Sequence, residues 1–361
     1  MFAFLKTIPQ FLKLPVYAFD ISDFSYKFLL LKDYSDGVRV DKFGEGEIPP
    51  GVIQNGEVQD KEKLTQILSE IITKHNIKYV AISLPDEKGF IRFLKLPTKT
   101  IKRNEIGKVL GLQLEEHVPL PPNEVVFDYS LLREEKDHFD VVLRAMPLAL
   151  LETYCLIFKK AGALPVLIDQ EMGAVVHAVV PDDFVELGIL MDWGKSRTSF
   201  AIFNQRIVNF SATVAVGGVT LTNTIAKQLK ISFSDAEQFK KTKARVAFDS
   251  DVLRSGEIMQ AIIPLVTVLR EEAEKYIQYW QTHSETSSRP LKMFLTGGDV
   301  FISGFVEYLS RELNMPVSLG DSWANVSFPQ KYIPELTKHE SLRFSCAAGL
   351  CLKAMKNNLL F

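Results

Sequence analysis

The sequence predicts an α/β fold made of two similar halves facing a common cleft. Three observations carry that prediction. Strand-like and helix-like segments alternate along the chain, the pattern of sheets covered by helices. A strand ending in aspartate, a small turn and a second strand occurs twice, as FDISDFSYKFLLL from Phe19 and as MDWGKSRTSFAIF from Met191, which marks an internal repeat. The length of 361 residues exceeds one ordinary core and asks for two domains.

The elements follow in order. The opening MFAFLKTIPQFLKLP is apolar with two lysines but has no long apolar stretch and no small-residue cleavage site. It reads as a strap of residues 1–15 on the body rather than a signal peptide. Val16–Ile21 and Tyr26–Leu31 are strands, and FGEGEIPPGVIQNGEV is rich in turn residues. A helix spans about Asp60 to His75, with Leu64, Ile67, Leu68 and Ile71 at helical spacing. KYVAISLP and FIRFLKLP are strands with PDEKG as a hairpin turn between them. NEIGKVLGLQLEEHV is a polar helix, VVFDYSLL and FDVVLRAMP an antiparallel pair, and LALLETYCLIFKKAG a helix closed by Gly162. LPVLIDQ is a buried strand followed by the small-residue helix EMGAVVHAVV.

At about residue 186 the pattern restarts. LGILMDWG, SFAIFN and RIVNFSATV are strands, and Gly217-Gly218 opens the helix VTLTNTIAKQLK. Residues 234–282 are helical, with Ile258, Ile262, Leu265, Leu269, Ala273 and Tyr276 as a core stripe. KMFLTGGDV is a strand running into a glycine pair, Met315–Leu319 a short last strand, and FSCAAGLCLKAM a closing helix.

Bulk properties exclude several functions. The net charge of −2 gives no general pull toward nucleic acid. No apolar run reaches the ~18–20 residues that span a bilayer. Cys155, Cys346 and Cys351 form no CxxC and read as buried small hydrophobes in a reducing, cytoplasmic setting. The six histidines have no metal-ligand spacing.

Three loops share one logic: a strand ends, the backbone turns tightly, and amide hydrogens face outward toward an anion. In MDWGKSRTS, Gly194 supplies the turn, Lys195, Ser196, Thr198 and Ser199 supply donors, and Asp192 suits Mg²⁺ held through water. In FLTGGDV, Gly297-Gly298, followed by Asp299, form a shelf for an adenine and ribose. In SDAEQFK, Glu237 and Lys240 lie one helical turn apart and can reach a ribose hydroxyl and a base edge. Each motif alone is more often an ordinary turn or surface pair. Their order gives them weight.

In that order, FDISDFSYK, MDWGKSRTS, VGGVTL and FLTGGDVFISG resemble the actin-like ATPase superfamily, which includes actin, heat-shock chaperones, sugar kinases, MreB and FtsA. NEIGKVLGLQLEEHVPLPPNEVVFDYSLL, AGALPVLIDQEMGAVVHA and GGVTLTNTIAKQLKISFSDAEQFK are similar to the PilM family of type IV pilus assembly. The resemblance runs from about Val16 to Met355. It implies duplicated RNase H-like halves (16–185 and 186–340) around a nucleotide cleft, with an SHS2-type α+β sub-domain inserted at about 79–163. The helix at 341–361 would return to the first half, and the two small-residue helices would cross closely. It further implies ATP or ADP with Mg²⁺ as cofactors, Asp20 and Asp192 as the carboxylates that meet Mg²⁺ through water, and Glu171 as a water-orienting carboxylate. The implied role is a cytoplasmic scaffold, peripheral to the inner membrane, that binds the N-terminal cytoplasmic tail of a PilN-like protein of the pilus assembly platform. An active ATPase or small-molecule kinase, and a self-associating filament-former similar to FtsA, stay open as alternatives. The ending NNLLF lacks the linker and anchor expected of the filament-former.

The first loop departs from the family pattern D-I-G-S/T. It keeps Asp20 and Lys27 but carries Ser22 for the glycine and Asp23 for the hydroxyl. Asp23 beside a phosphate costs about 4 kcal/mol at ~4 Å and an effective dielectric of ~20. The expectation is a retained nucleotide pocket with weakened γ-phosphate handling and slow or absent hydrolysis. Gly217 and Gly218 complete the set of expected nucleotide-binding residues.

Overall fold

The repeated motif seeds the same sheet twice. In this computed structural model, residues 14–242, 257–284, 288–302 and 304–356 are described. The chain divides into one unit up to Asp182 that resumes at Ser322, and a second unit spanning Asp183–Asp321. The expected strap lies almost wholly outside the described residues, as does Ile258's side chain.

The first unit is built on strands β1 (Val16–Ile21), β2 (Ser25–Tyr34), β3 (Gly37–Glu47), the short pair β4 (Ile53–Gln54) and β5 (Glu57–Val58), and helix α1 (Lys61–Lys74). Next come β6 (Tyr79–Leu84), β7 (Phe90–Pro97), α2 (Ile106–Leu112), α3 (Leu114–His117), β8 (Val125–Glu134), β9 (His138–Pro147), α4 (Leu148–Ala161), β10 (Leu164–Gln170) and α5 (Glu171–Val179). The second unit holds β11 (Gly188–Trp193), β12 (Thr198–Asn204), β13 (Ile207–Val214), α6 (Gly218–Leu229), α7 (Phe233–Thr242), α8 (Glu257–His283), β14 (Lys292–Thr296), α9 (Phe305–Glu312) and β15 (Val317–Leu319). Helices α10 (Lys338–Ser341) and α11 (Ser345–Lys356) belong to the first unit.

The two five-stranded sheets run β3-β2-β1-β6-β10 and β13-β12-β11-β14-β15. In each, three antiparallel strands meet two parallel ones at the strand that carries the aspartate. The internal repeat is therefore a repeat of topology. All six residues of β1 are buried because helices cover both faces. Tyr17, Phe19 and Ile21 share a core with Leu64 and Leu68 of α1 and Phe158 of α4. On the other side α11 packs on β1 and α5 on α11, and the Cys351 thiol donates to the Leu29 carbonyl at 3.2 Å.

Four features differ from the sequence expectation. The glycine-rich stretch around Gly44 and Gly46 is strand β3, because the Phe28 and Tyr26 rings of β2 lie across those positions and a Cβ there would collide with them. PDEKG is no hairpin turn. It is a 3-10 turn, Asp86–Lys88, that carries the chain from β6 in the large sheet to β7 in a separate sheet ordered β7-β9-β8. Of the expected insertion at about 79–163, strand β6 and helix α4 pack in the main sheet's core. The strands and helices between them have their own core of Ile106, Leu110 and Leu114 against Val141 and Leu143. Finally, the segment after Ser322 covers the edge of β3 in the first unit. Val38 N–H donates to the Ser327 carbonyl, and the Tyr332 hydroxyl bonds both backbone groups of Val40, which closes an exposed strand edge.

Candidate functional site

In the first unit the strand ends gather a charged cluster. Asp20 and Lys27 are cross-strand partners in β1 and β2, and their side chains pair at 3.2 Å. Asp20 is buried, and its second carboxylate oxygen, Oδ1, has no hydrogen-bond partner among the described residues. Burial without a partner is costly for such an atom, so the position suits a cation or a donor brought by a ligand. The turn that follows is closed on itself: Ser22 N–H donates to the Ser25 carbonyl at 2.9 Å, and Ser22 Oγ reaches Ser25 at 3.1 Å.

Asp23 is buried and accepts from the amides of Asn55 and Gly56, each at 3.0 Å. It is a cap for the β4–β5 turn, whose Asn55 and Gly56 both have positive φ. Glu171 opens α5. Asp20 and Glu171 both act electrostatically on the thiol of Cys346, which burial first, and these two carboxylates next, push well above its ordinary range. The Ser83 side chain and Lys27 oppose the shift. Asp20, Lys27, Ser83, Glu171 and Cys346 thus come from five elements to one place. Ser83 and Cys346 were not singled out in the sequence. Ser83 is the lone hydroxyl near the end of the apolar run YVAISL, a signal that was there to use. Nothing local marks Cys346.

In the second unit three loops meet through glycines. Gly194 N–H donates to the Arg197 carbonyl at 2.9 Å and closes the β11–β12 turn. That turn is fastened to the start of α6, where the amides of Gly218 and Val219 donate to the carbonyls of Gly194 (3.0 Å) and Lys195 (2.8 Å). A trans peptide points its N–H opposite its C=O. The N–H groups of Lys195 and Ser196 therefore both face away from α6, a pair of parallel amides of the kind that forms an anion nest. Thr198 turns inward and donates to the Val216 carbonyl at 2.6 Å, so it braces the turn. Gly217 allows the close approach: a Cβ there would lie 2.5 Å from Arg197 N and 2.7 Å from the Lys195 carbonyl oxygen.

Gly297, at φ +104°, brings the end of β14 against Trp193, and a Cβ on it would lie 2.7 Å from Asp192 Oδ1. Gly298 beside it is exposed. A Cβ on Gly218 would collide with the Asp299 carboxylate. Asp299 in turn pairs with Lys240 at 2.7 Å, Lys240 pairs with Glu237 at 3.0 Å, and Thr222 donates to Glu237 at 2.6 Å. Asp192, Gly194, Lys195, Ser196, Gly217, Gly218, Glu237, Lys240, Gly297, Gly298 and Asp299 are therefore gathered around the ends of β11 and β14 and the start of α6. Among the described residues no group of three or more acidic, histidine or cysteine side chains is placed to hold a metal directly. No described helix is long and apolar enough to cross a membrane.

Comparison with known proteins agrees with this architecture. The family description "Type IV pilus assembly protein PilM" matches residues 18–355. The cell division protein FtsA of Pseudomonas aeruginosa is 27% identical over 165 residues, an alignment spanning 42% of this chain and 40% of that protein. A solved PilM-PilN type IV pilus biogenesis complex superposes with a TM-score of 0.75 at 20% identity, covering 95% of this chain and 99% of that one. MreB 5 of Spiroplasma citri, solved with AMPPNP, gives a TM-score of 0.54 at 12% identity over 95% of this chain and 97% of its own. At these identities the two structures bear on the fold, which is actin-like. With the family description matched along nearly the whole sequence, the chain belongs to the PilM family of type IV pilus assembly proteins.

Proposed function

We propose that this chain is a nucleotide-binding scaffold of type IV pilus assembly that holds ATP or ADP and recruits a PilN-like inner-membrane protein through its cytoplasmic tail. The nucleotide reading is carried by the parallel amides of Lys195 and Ser196. They would receive phosphate oxygens together with the Ser196 hydroxyl and the Lys195 ammonium, on a turn held by Gly194, Thr198, Gly217 and Gly218. Glu237 and Lys240 would meet the ribose and base, with Gly297, Gly298 and Asp299 beneath them. In the first unit, the second carboxylate oxygen of Asp20 suits a cation or a donor brought by a ligand. Asp20 and Asp192 each suit Mg²⁺ held through water, an ion that would neutralise phosphate charge.

Hydrolysis is slow or absent in this reading. The backbone and hydroxyl of Ser22 are spent on Ser25 and Lys27 is paired with Asp20, so the first loop has few donors left for a third phosphate. Asp23 serves by holding its loop, and Glu171 would be the carboxylate that orients water. The partner reading is supported by the resemblance to the PilM-PilN complex. An extended tail held by backbone bonds and side-chain pockets would dock in a groove between the core of the first unit and its inserted sub-domain. The protein would then be cytoplasmic and reach the inner membrane only through that partner.

Calorimetry with Mg-ATP and Mg-ADP tests the reading. Micromolar binding is expected and is lost in Gly297→Val. No heat with either nucleotide would overturn it. Phosphate release at the roughly 1–100 s⁻¹ of a kinase would favour an active enzyme, and sedimentation with ATP would favour a filament.

A further inference from the structure

The Asp86–Lys88 turn, which leads into the inserted sub-domain, is fastened on two sides. On one side lies the β4–β5 turn. Its Asn55 and Gly56 amides are held by Asp23, and the hydrogen face of Gly56 lies so close to Pro85 that a Cβ there would sit 2.7 Å from its ring. Lys88 pairs with Glu57 at 2.6 Å, and the Tyr154 hydroxyl of α4 donates to the Gly56 carbonyl at 3.1 Å. On the other side lies α5, whose Met172 amide donates to the buried Asp86 carboxylate at 2.6 Å. The first phosphate loop, the entry to the sub-domain and the helix that begins with Glu171 are thereby joined by side chains without a gap.

This joint is not fully satisfied as it stands. Gln170, the last residue of β10, is 8% exposed, and both its amide oxygen and its amide nitrogen are buried without a partner among the described residues. Gly89, the residue after the turn, presses directly on that amide, and a Cβ on Gly89 would lie 3.2 Å from Met146 where the sub-domain's chain returns. A buried amide with neither group bonded penalises the arrangement that buries it. A displacement of residues 85–89 that freed Gln170 would relieve that penalty.

We propose that the Asp86–Lys88 turn is a coupling joint, through which occupancy of the first phosphate loop repositions the inserted sub-domain and the N-terminus of α5. The inference rests on the nucleotide reading above and assigns that site a regulatory output. Asp23 acts as a positioning residue. An anion arriving at Asp20–Lys27 repels the Asp23 carboxylate, weakens its hold on Asn55 and Gly56, and so loosens the contact with Pro85 and Glu57–Lys88.

Amide hydrogen exchange of the full chain, with and without saturating Mg-ATP, tests the joint. Linked sites differ by about fivefold or more, so exchange at residues 55–57, 86–89 and 172 is expected to change by at least that factor in the unaltered protein. In Asp23→Asn the response at 86–89 and 172 should fall below about twofold, while residues 192–198 and 297–299 respond as before. Lys88→Ala, which leaves the loop and its cap intact, should keep the response at 55–57 and lose it at 86–89, and thermal melts verify that both variants fold. A response confined to residues 20–27 and the second unit would overturn the coupling and leave nucleotide binding standing. A full response in both variants would overturn it as well. No response anywhere, with no calorimetric heat, would remove the nucleotide reading and the joint with it.

Discussion

Asp23 illustrates how far a single charge depends on its partners. Beside a phosphate its cost looks prohibitive, yet two amides from a turn thirty-odd residues away donate to it, and hydrogen bonds to a carboxylate are among the stronger neutralising contacts. The buried thiols show the same dependence with a measurable sign. Cys351 is pushed up from 9.0 to about 12, by burial above all, and its proton is engaged by the Leu29 carbonyl. The folded state therefore holds a proton that the unfolded chain releases above pH 9. That contribution is complete below pH 9 and is lost as pH rises from 9 through about 12, at on the order of 1.4 kcal/mol per pH unit. Urea midpoints of the reduced protein between about pH 8 and pH 11 should fall more steeply than those of Cys351→Ala. Equal slopes would show that the thiol titrates alike in both states.

At the scale of elements, α5 and α11 explain their own composition. Gly349 of α11 sits against the Ala174 carbonyl of α5 so closely that any Cβ would collide with backbone. Backbone cannot move aside as a flexible side chain does, so Gly349→Ala should cost ~1–3 kcal/mol or more of stability, read as a lower urea midpoint at unchanged slope. An unchanged midpoint would mean the helices part without cost. α5 is held at its other end by Asn325, whose side-chain nitrogen donates to the carbonyls of His177 (3.0 Å), Ala178 (3.2 Å) and Val180 (2.8 Å), while its oxygen accepts from Asp182 at 2.8 Å. The small residues of both helices were legible in the sequence, because close packing leaves a compositional trace. Asn325 was not, since a cap supplied from 145 residues away leaves none nearby. Strand β3 was obscured for a related reason: its glycines answer to rings on β2 and look like turn signals when read along the chain alone. The PDEKG segment has true turn chemistry, but turn chemistry cannot say whether the next strand returns to the same sheet.

At the scale of the molecule, the duplicated topology was legible because each half repeats strand, aspartate and turn at the one position where a parallel and an antiparallel neighbour meet. The glycines of the second unit were legible too, since close backbone approach admits no other residue. What the sequence could not convey was how each half-site is internally paired, as with Lys240 between Glu237 and Asp299. Thermal unfolding with nucleotide measures the effect of ligand on each unit. At 100 times its dissociation constant a ligand adds about 2.7 kcal/mol. With an unfolding entropy of roughly 2.1 cal/mol/K per residue, that raises Tm by about 4 °C if all the chain melts as one body, and by about 9 °C if only the roughly 140 residues of the second unit carry the transition. On the nucleotide reading proposed above, a single transition shifted by about 4 °C is expected, abolished by Gly297→Val. Two resolved transitions, of which only one moves, would mean that one unit binds the ligand alone.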